Sequence, residues 1–409
     1  MPYRYFLALL LLAPSWGRAQ VTPIVSGWLV NTTGATGYNN IPSNVQRVQY
    51  SAANVYITCS GVPAYPIGPW PNNPNAATNQ NFVFKITRTP APNAGPATAT
   101  PLGHTGIWSN GVSIFNARDA MSYNNAGVWN QNAIVVEGPS FDSCLGHPAG
   151  NGEYHHHLNP RCLYNDRDST RHAPLIGFAF DGYPIYGAYG YANANGTGGI
   201  KSLKTSYRTR SITARTTLPN GSTAPSAGPA VSAARPLGYY IEDFEYVAGR
   251  GDLDSHNGRF GITPEYPQGT YAYFVTINSR YEGAYPYTPG PTYYGVVPAG
   301  AIGPQSGHAV VNEPVTTYVV TATFLAAGLQ VSVYPNPASS TLTIAPEGGV
   351  ANNLRAALFN PLGQAVTATA GLHPSVPVDF DVSGLAAGVY FLQVTGNGVL
   401  ATQKVVVTR

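Results

Sequence analysis

Charged side chains are scarce in this sequence. Asp, Glu, Lys and Arg together make up 10% of its 409 residues, against about 25% in an ordinary globular protein, and the formal net charge at pH 7 is only +3. Proteins that bind nucleic acids neutralise phosphates with clustered Lys and Arg. Because no stretch of this chain concentrates those cations, the sequence argues against a nucleic-acid partner.

Long apolar runs are missing as well. The one apolar stretch near the start runs from Tyr5 to Ala13, follows the basic Arg4 and precedes the small residues Gly17 and Ala19. It falls well short of the roughly twenty apolar residues that span a bilayer. A charged start, a short apolar run and small residues at its end are typical of a secretory signal peptide. We expect residues 1–19 to be removed, leaving a mature chain without a transmembrane segment.

Helical periodicity is almost absent, while Gly (45), Pro (36) and Tyr (28) are abundant. Short runs rich in Val, Ile, Tyr, Phe and Thr alternate with Gly, Asn and Pro, a pattern that predicts strands joined by turns. One short helix is predicted at Lys201–Arg210, and Ala214–Ala234 is predicted to be a surface loop. The expected fold is mainly β, with a Tyr/Gly/Pro-rich β-sheet region first. Strands are predicted at Asn54–Thr58, Asn81–Thr87, Leu175–Phe180, Thr270–Ile277 and Thr316–Phe324.

Only three cysteines are present. Cys144 and Cys162 lie close in sequence, and a disulfide between them would close a loop of about 18 residues and contribute roughly 3 kcal/mol. Both residues could instead bind a metal or remain as thiols, and the sequence leaves these alternatives open. Cys59 lies far away and is expected to be a buried thiol.

Three consecutive histidines follow Tyr154. In an extended segment side chains alternate between faces, so His155 and His157 are expected on one face and His156 on the other. Two imidazoles at this spacing can bind one transition-metal ion, and Cu or Zn is the expected ion. The alternative is a buried hydrogen-bonded pair that joins neighbouring loops.

A third ligand must come from elsewhere in the chain. The histidine candidates are His147, His172 and His256, and Asp181 and Asp254 are further candidates near the site. Each also has a plain structural interpretation: Asp181 suits a turn before Gly182, and Asp254 suits a cap or a partner for Arg259. The sequence does not choose between these roles.

The last 80 residues change in character, with almost no Tyr and a regular series of β segments after Ala326. About seven short strands over this length predict a small Ig-like β-sandwich. The motifs Tyr334–Pro337, Leu385–Tyr390 and Lys404–Val407 resemble those of the type A C-terminal sorting domain of the type IX secretion system. The resemblance implies that the secretion machinery binds this module and exports the chain across an outer membrane. Removal of the module would then leave the rest secreted or attached to the cell surface.

A second resemblance concerns the region before that module. Residues 50–295 are similar to the YHYH domain, a family of exported proteins whose activity is unassigned. The matching motifs are Tyr154–His157, the flanks Cys144–Pro148 and Pro160–Cys162, and the longer segments His172–Gly187 and Asp252–Phe274. One departure is visible, because His156 stands where the naming tetrad has its second Tyr.

These observations divide the chain into a signal peptide (1–19), a passenger domain (20–325), a linker (326–330) and a sorting domain (331–409). The familiar catalytic patterns of zinc proteases, serine hydrolases and nucleotide-binding enzymes are missing. Whether the chain is an enzyme therefore stays open, with metal-dependent activity as one option. The alternatives are a binding module for glycans or proteins, with stacking surfaces at Trp70, Trp108 and Trp129, and a purely structural surface protein with internally satisfied histidines.

Overall fold

A computed structural model describes residues 21–303, 306–318, 323–326, 329–347, 354–373, 376–396 and 399–408. The predicted signal peptide, residues 1–19, lies outside this set. The fold is mainly β, as the sequence predicts, and the two α-helices within the described residues are single turns, α1 (Pro23–Ser26) and α2 (Ala133–Val136). No helix in the described ranges has the length and apolar character needed to cross a membrane.

Short strands fill the passenger region, separated by turns and loops. The predicted strands at residues 54–58, 81–87 and 175–180 form nearly as expected, whereas the one predicted at residues 270–277 overlaps only the end of a longer strand. In chain order the strands are β1 (Val45–Tyr50), β2 (Asn54–Cys59), β3 (Phe82–Thr87), β4 (His104–Trp108), β5 (Ser113–Phe115), β6 (Arg118–Ser122), β7 (Asn130–Asn132), β8 (Gly146–Pro148), β9 (Tyr154–His156), β10 (Leu175–Ala179), β11 (Pro184–Tyr186), β12 (Tyr189–Tyr191), β13 (Ile200–Ser202), β14 (Tyr207–Thr209), β15 (Phe244–Tyr246), β16 (Gly258–Thr263), β17 (Tyr266–Phe274) and β18 (Thr316–Thr317).

Twelve of these strands form two sheets, and the other six form the two-stranded pairs β6-β7, β12-β13 and β14-β15. One has four strands in the order β18-β1-β2-β3, and the other has eight in the order β16-β17-β11-β10-β4-β5-β9-β8. Buried Val48, Ile57 and Phe84 from the first sheet form one apolar cluster with Ile107 and Phe178 from the second. Burying such side chains is the main favourable contribution to folding. The strands β5, β9 and β8 form one edge of the larger sheet, and this edge carries the histidines.

The predicted helix at Lys201–Arg210 is wrong. The segment contains β13, which pairs with β12, and β14, which pairs with β15. Its polar neighbours give it no apolar face at helical spacing, so pairing with a partner strand determines its conformation. Single-turn 3₁₀ helices lie at Tyr38–Asn40, Tyr123–Asn125, Gly138–Ser140 and Ile241–Asp243.

The loop predicted at Ala214–Ala234 forms no named strand, yet one of its side chains is deeply buried. Arg215 makes a bidentate ion pair with Asp243, with Nε–Oδ1 and Nη2–Oδ2 distances of 2.7 and 2.9 Å. Both side chains are fully shielded from solvent. The guanidinium also donates to main-chain carbonyls within the loop and just after it, including those of Pro229 and Pro236. This arginine therefore anchors the loop to the domain.

The C-terminal region consists of two four-stranded antiparallel sheets, in the orders β19-β20-β21-β24 and β23-β22-β25-β26. Buried Val333, Leu342, Leu358, Leu392 and Val405 belong to one apolar cluster contributed by both sheets. The architecture is a β-sandwich, and its Ig-like topology remains a prediction. Its strands are β19 (Thr323–Ala326), β20 (Leu329–Tyr334), β21 (Thr341–Glu347), β22 (Leu354–Phe359), β23 (Ala370–Leu372), β24 (Val378–Asp381), β25 (Gly388–Gly396) and β26 (Val399–Val407).

Candidate metal centre

Three histidines converge at the edge of the eight-stranded sheet. His155 lies on β9, and His147 lies directly opposite on the neighbouring antiparallel strand β8. His157 follows two residues after His155 and therefore projects from the same face. The Nε2 atom of His155 is 3.1 Å from Nε2 of His147 and 3.1 Å from Nε2 of His157.

A carboxylate completes the cluster. Glu137 immediately follows the single-turn helix α2, which begins where the Asn132 side chain accepts a hydrogen bond from Ile134 N–H. Its Oε2 atom lies 2.9 Å from Nε2 of His147 and 3.1 Å from Nε2 of His157. One ligand atom from Glu137 and from each of the three histidines lies within 4.8 Å of the others. These four residues are called the His₃Glu cluster below.

On the side away from the cluster, the Nδ1 atom of each imidazole ring contacts a hydrogen-bond acceptor. His155 Nδ1 is 3.0 Å from the Glu153 carbonyl oxygen, and His157 Nδ1 is 2.6 Å from the Asn116 carbonyl oxygen. His147 Nδ1 is 2.6 Å from Ser140 Oγ, whose own proton goes to the carbonyl oxygen of Glu137. With its Nδ1 paired in this way, each ring directs its Nε2 toward the cluster.

Burial disfavours a charge on the central histidine. His155 is 3% exposed, and desolvation, followed by the charges of His157 and His147, lowers its pKa well below the usual value. Burial alone would raise the pKa of Glu137, but its contacts with His147 and His157 hold that pKa well below its usual range. The cluster thus brings three imidazole Nε2 atoms and an ionised carboxylate to one point.

Aromatic rings and a cavity surround the His₃Glu cluster. The Phe115 ring stacks on His155 with 3.9 Å between ring centres, and Phe141 packs edge-on to His147 at 4.9 Å. On the solvent side lies a cavity of about 470 Å³. Its lining combines the four cluster residues with polar side chains that include Asn72, Asn73, Arg118 and Asp119. A small molecule could approach the four ligand atoms through this cavity.

Comparison with protein families accounts for most of the chain. The model of the YHYH protein family matches residues 83–284, and the model of the secretion system C-terminal sorting domain matches residues 332–408. The chain carries a YHYH domain and ends in a sorting domain. No curated protein and no solved structure matches it. The whole His₃Glu cluster lies inside the YHYH match.

The naming tetrad of the YHYH domain presents different chemistry on its two faces. Opposite the cluster, the hydroxyl of Tyr154 donates to the buried carboxylate of Asp142, at 3.0 Å from Oδ2. His156 is fully buried, and desolvation lowers its pKa to about 4. The residue that departs from the tetrad is therefore a neutral imidazole in the core and contributes no ligand atom to the cluster.

The remaining candidate residues of the YHYH domain lie apart from the cluster. His172 packs on Tyr186, with 5.0 Å between ring centres, and its Nδ1 donates to the Ala173 carbonyl. His256 contacts the hydroxyl of Thr292 through Nδ1, at 2.7 Å.

The two aspartates also have partners of their own. Asp181 is fully buried and accepts from the hydroxyl of Tyr273 at 2.5 Å, and burial raises its pKa to about 6. Asp254 accepts from the hydroxyl of Tyr271 rather than from Arg259. Both carboxylates are occupied in hydrogen bonds with tyrosines, away from the His₃Glu cluster.

Cys144 and Cys162 form a disulfide bond, and Cys59 is a free, buried thiol. The two bonded cysteines lie on either side of β9 in the sequence, so the bond ties together the two ends of the histidine-bearing segment.

Two of the three tryptophans proposed for glycan stacking cannot serve that purpose. Trp108 and Trp129 have no exposed surface, because both belong to apolar clusters of the core. Trp70 is partly exposed, and its indole N–H donates to Asp142. The sequence prediction failed here because abundant aromatic residues serve either a core or a surface equally well.

Sequence reasoning also missed Glu137. It lies ten residues before His147, in the unremarkable segment Ile134–Ser140, and no ligand spacing marks it. The available signal was the scarcity of acidic residues, which makes any carboxylate near a histidine cluster worth considering.

Proposed function

We propose that the YHYH domain of this exported protein binds one transition-metal ion through Nε2 of His147, His155 and His157 and a carboxylate oxygen of Glu137. Imidazole and carboxylate ligands together suit Zn and Cu, the two ions expected from the sequence. The observation that carries the proposal is the fixed orientation of the rings, which turns three Nε2 atoms toward one another and toward a carboxylate.

This arrangement is unfavourable without a cation. When Nδ1 carries the single proton of each neutral ring, the Nε2 atoms of His147 and His155, 3.1 Å apart, cannot hydrogen-bond to each other. Protonating several rings would place imidazolium charges side by side in a buried site, which desolvation and mutual repulsion oppose. A bound cation satisfies all four ligand atoms at once, and the main-chain carbonyls behind His155 and His157 are the kind of outer partner that orients metal ligands.

The alternative function, glycan or protein binding with structurally satisfied histidines, has less support. Its stacking surfaces are largely removed by the burial of Trp108 and Trp129. The cavity against the His₃Glu cluster remains available for a small-molecule ligand. Chemistry at the metal, hydrolytic or oxidative, would need a coordination position open to that cavity.

The sorting domain identifies the chain as a secreted protein of the type IX system. We propose in addition that residues 1–19 are a cleaved signal peptide and that the secretion machinery binds residues 331–409 and removes them. The passenger domain, residues 20–325, would then be released or attached to the outer-membrane surface. Mass spectrometry of the mature protein would locate both cleavage sites.

Metal content tests the central proposal. The full-length chain, purified without a histidine tag, is incubated with Cu²⁺ or Zn²⁺, dialysed and measured by elemental mass spectrometry. We expect about one equivalent in the parent and none in His155→Ala/His157→Ala, with circular dichroism showing that the variant remains folded. His373→Ala is the matched control, since that histidine is exposed in the sorting domain. A folded parent that takes up neither ion would refute the proposal.

A further inference from the structure

We infer that the metal centre, if the ion binds as proposed above, is tetragonal and selects copper(II), with Glu137 and His155 in opposite positions of its equatorial plane. The inference rests on the proposed metal-binding function and adds the coordination geometry. It follows from the close contacts among the four ligand atoms and from the spacing of the histidine rings.

The cluster forms a closed ring of four short contacts. The distance from Glu137 Oε2 to His147 Nε2 is 2.9 Å, and the distance from His147 Nε2 to His155 Nε2 is 3.1 Å. His155 Nε2 to His157 Nε2 is 3.1 Å, and His157 Nε2 returns to Glu137 Oε2 at 3.1 Å. Each of the four residues thus contacts two of the others closely and lies opposite the third.

The opposite pairs are farther apart. Glu137 forms close ion-pair contacts with His147 and His157 but not with His155, although all four ligand atoms lie within 4.8 Å of one another. The His147 and His157 rings, the other opposite pair, have centres 5.9 Å apart, against 4.6 and 4.8 Å for the neighbouring ring pairs.

These distances distinguish two geometries. With metal–ligand bonds of about 2.0–2.1 Å, a tetrahedral ion places all six ligand pairs about 3.3–3.4 Å apart. A square arrangement with the same bonds places neighbours about 2.9–3.0 Å apart and opposite ligands about 4.0–4.2 Å apart. The four short contacts, the missing close contact between Glu137 and His155 and the wider spacing of the His147 and His157 rings follow the square pattern.

Square or tetragonal sites of nitrogen and oxygen ligands are typical of Cu(II) and Ni(II), whereas tetrahedral sites are typical of Zn(II). Between the first two ions, the general order of affinities favours copper. Hydrogen bonds hold the rings in place from behind, such as the one from His157 Nδ1–H to the Asn116 carbonyl at 2.6 Å, and these bonds oppose rearrangement to a tetrahedron.

A tetragonal ion has positions above and below its equatorial plane, and the surroundings suggest what could occupy them. Phe115 and Phe141 are apolar and offer no ligand atom, while the cavity of about 470 Å³ reaches the same four residues. A water molecule or a small oxygen donor from the cavity is therefore the expected axial ligand, rather than a protein side chain.

Spectroscopy on the metal-stripped, full-length chain tests this geometry. One sample receives one equivalent of Cu²⁺ for electron paramagnetic resonance, and a second receives Co²⁺ for visible absorption. We expect an axial copper spectrum with splitting from three equatorial nitrogens and only weak cobalt absorption. His155→Ala should remove the splitting from one equatorial nitrogen in the copper spectrum. The size-conserving Glu137→Gln should also change that spectrum. The exposed-site variant His373→Ala should leave both spectra unchanged.

Affinity alone would be a poor test, because most nitrogen sites bind copper more tightly than zinc. An intense cobalt absorption of the tetrahedral type, with one equivalent bound, would overturn the tetragonal geometry and leave the metal-binding proposal intact. Failure of the folded chain to bind either ion would overturn both. The two failures are therefore distinguishable.

Discussion

Glu153 connects His104 to His155. Its carboxylate Oε1 lies 2.6 Å from Nε2 of His104, and its main-chain carbonyl lies 3.0 Å from Nδ1 of His155. The other ring nitrogen of His104 contacts Ser306 Oγ at 2.7 Å, and that hydroxyl donates to the Gly303 carbonyl. Both nitrogens of His104 thus face acceptors, so the contact with Glu153 is a charge-assisted hydrogen bond.

We expect His104→Ala to weaken metal binding by about 10-fold without changing the stoichiometry, because Glu153 would lose the partner that fixes the acceptor behind His155. Competition titration with a chromogenic chelator measures the affinity, at a temperature well below unfolding. His308→Ala removes an exposed imidazole that packs on the neighbouring Phe82 ring and serves as the control. Equal affinities in His104→Ala and the parent would show that the connection is merely structural.

The position of His172 gives a second prediction. His172→Ala should retain one equivalent of metal while losing about 1–3 kcal/mol of unfolding free energy, because the ring is buried against Tyr186 and Tyr191 and lies outside the cluster. His147→Ala should lose most of the metal. Elemental analysis and urea unfolding of both variants check the contrast, and metal loss in His172→Ala would contradict the assigned ligand set.

The buried ion pair under the loop predicts a large effect on stability. Arg215→Ala should lower the free energy of unfolding by about 3–5 kcal/mol, since it leaves the Asp243 carboxylate buried without its partner. Arg208→Ala removes a half-exposed arginine paired with Glu245 and should cost less than about 1 kcal/mol. Urea unfolding of the two variants measures the difference, and similar losses would argue against the anchoring role.

Glu242 predicts a pH dependence. Burial raises the pKa of its carboxyl from 4.5 to about 7, so ionisation is harder in the folded state than in the unfolded state. The resulting penalty is absent below about pH 4.5, grows as the pH rises to about 7 and is fully present above it. Glu242→Gln removes that penalty while leaving an oxygen to accept from Asn130 N–H.

We therefore expect Glu242→Gln to match the parent in stability near pH 4.5 and to exceed it by about 1–3 kcal/mol at pH 8. Denaturant unfolding at a series of pH values measures the difference. Glu245→Gln, at the surface beside Arg208, should show no gain that grows with pH. A constant difference between Glu242→Gln and the parent at all pH values would contradict the linkage.

The sequence predicted the β class and the shared face of His155 and His157 because strand periodicity is a local property of the chain. It could not predict the pairing of β8 with β9, which brings His147 opposite His155, because register depends on long-range packing. Glu137 was missed for the same reason. The wrong helix at Lys201–Arg210 and the buried Trp129 show that local composition does not reveal which segment finds a partner strand or a core.

The disulfide between Cys144 and Cys162 encloses the segment that carries His147, His155 and His157. Disulfides form and persist outside the reducing cytosol, so this segment gains its covalent closure only after the chain has left the cytoplasm. Maturation of the site is thereby linked to export: a chain retained inside the cell lacks the bond that closes the ligand segment. A metal ion bound at the proposed site after this closure would come from the metals available outside the cytoplasm.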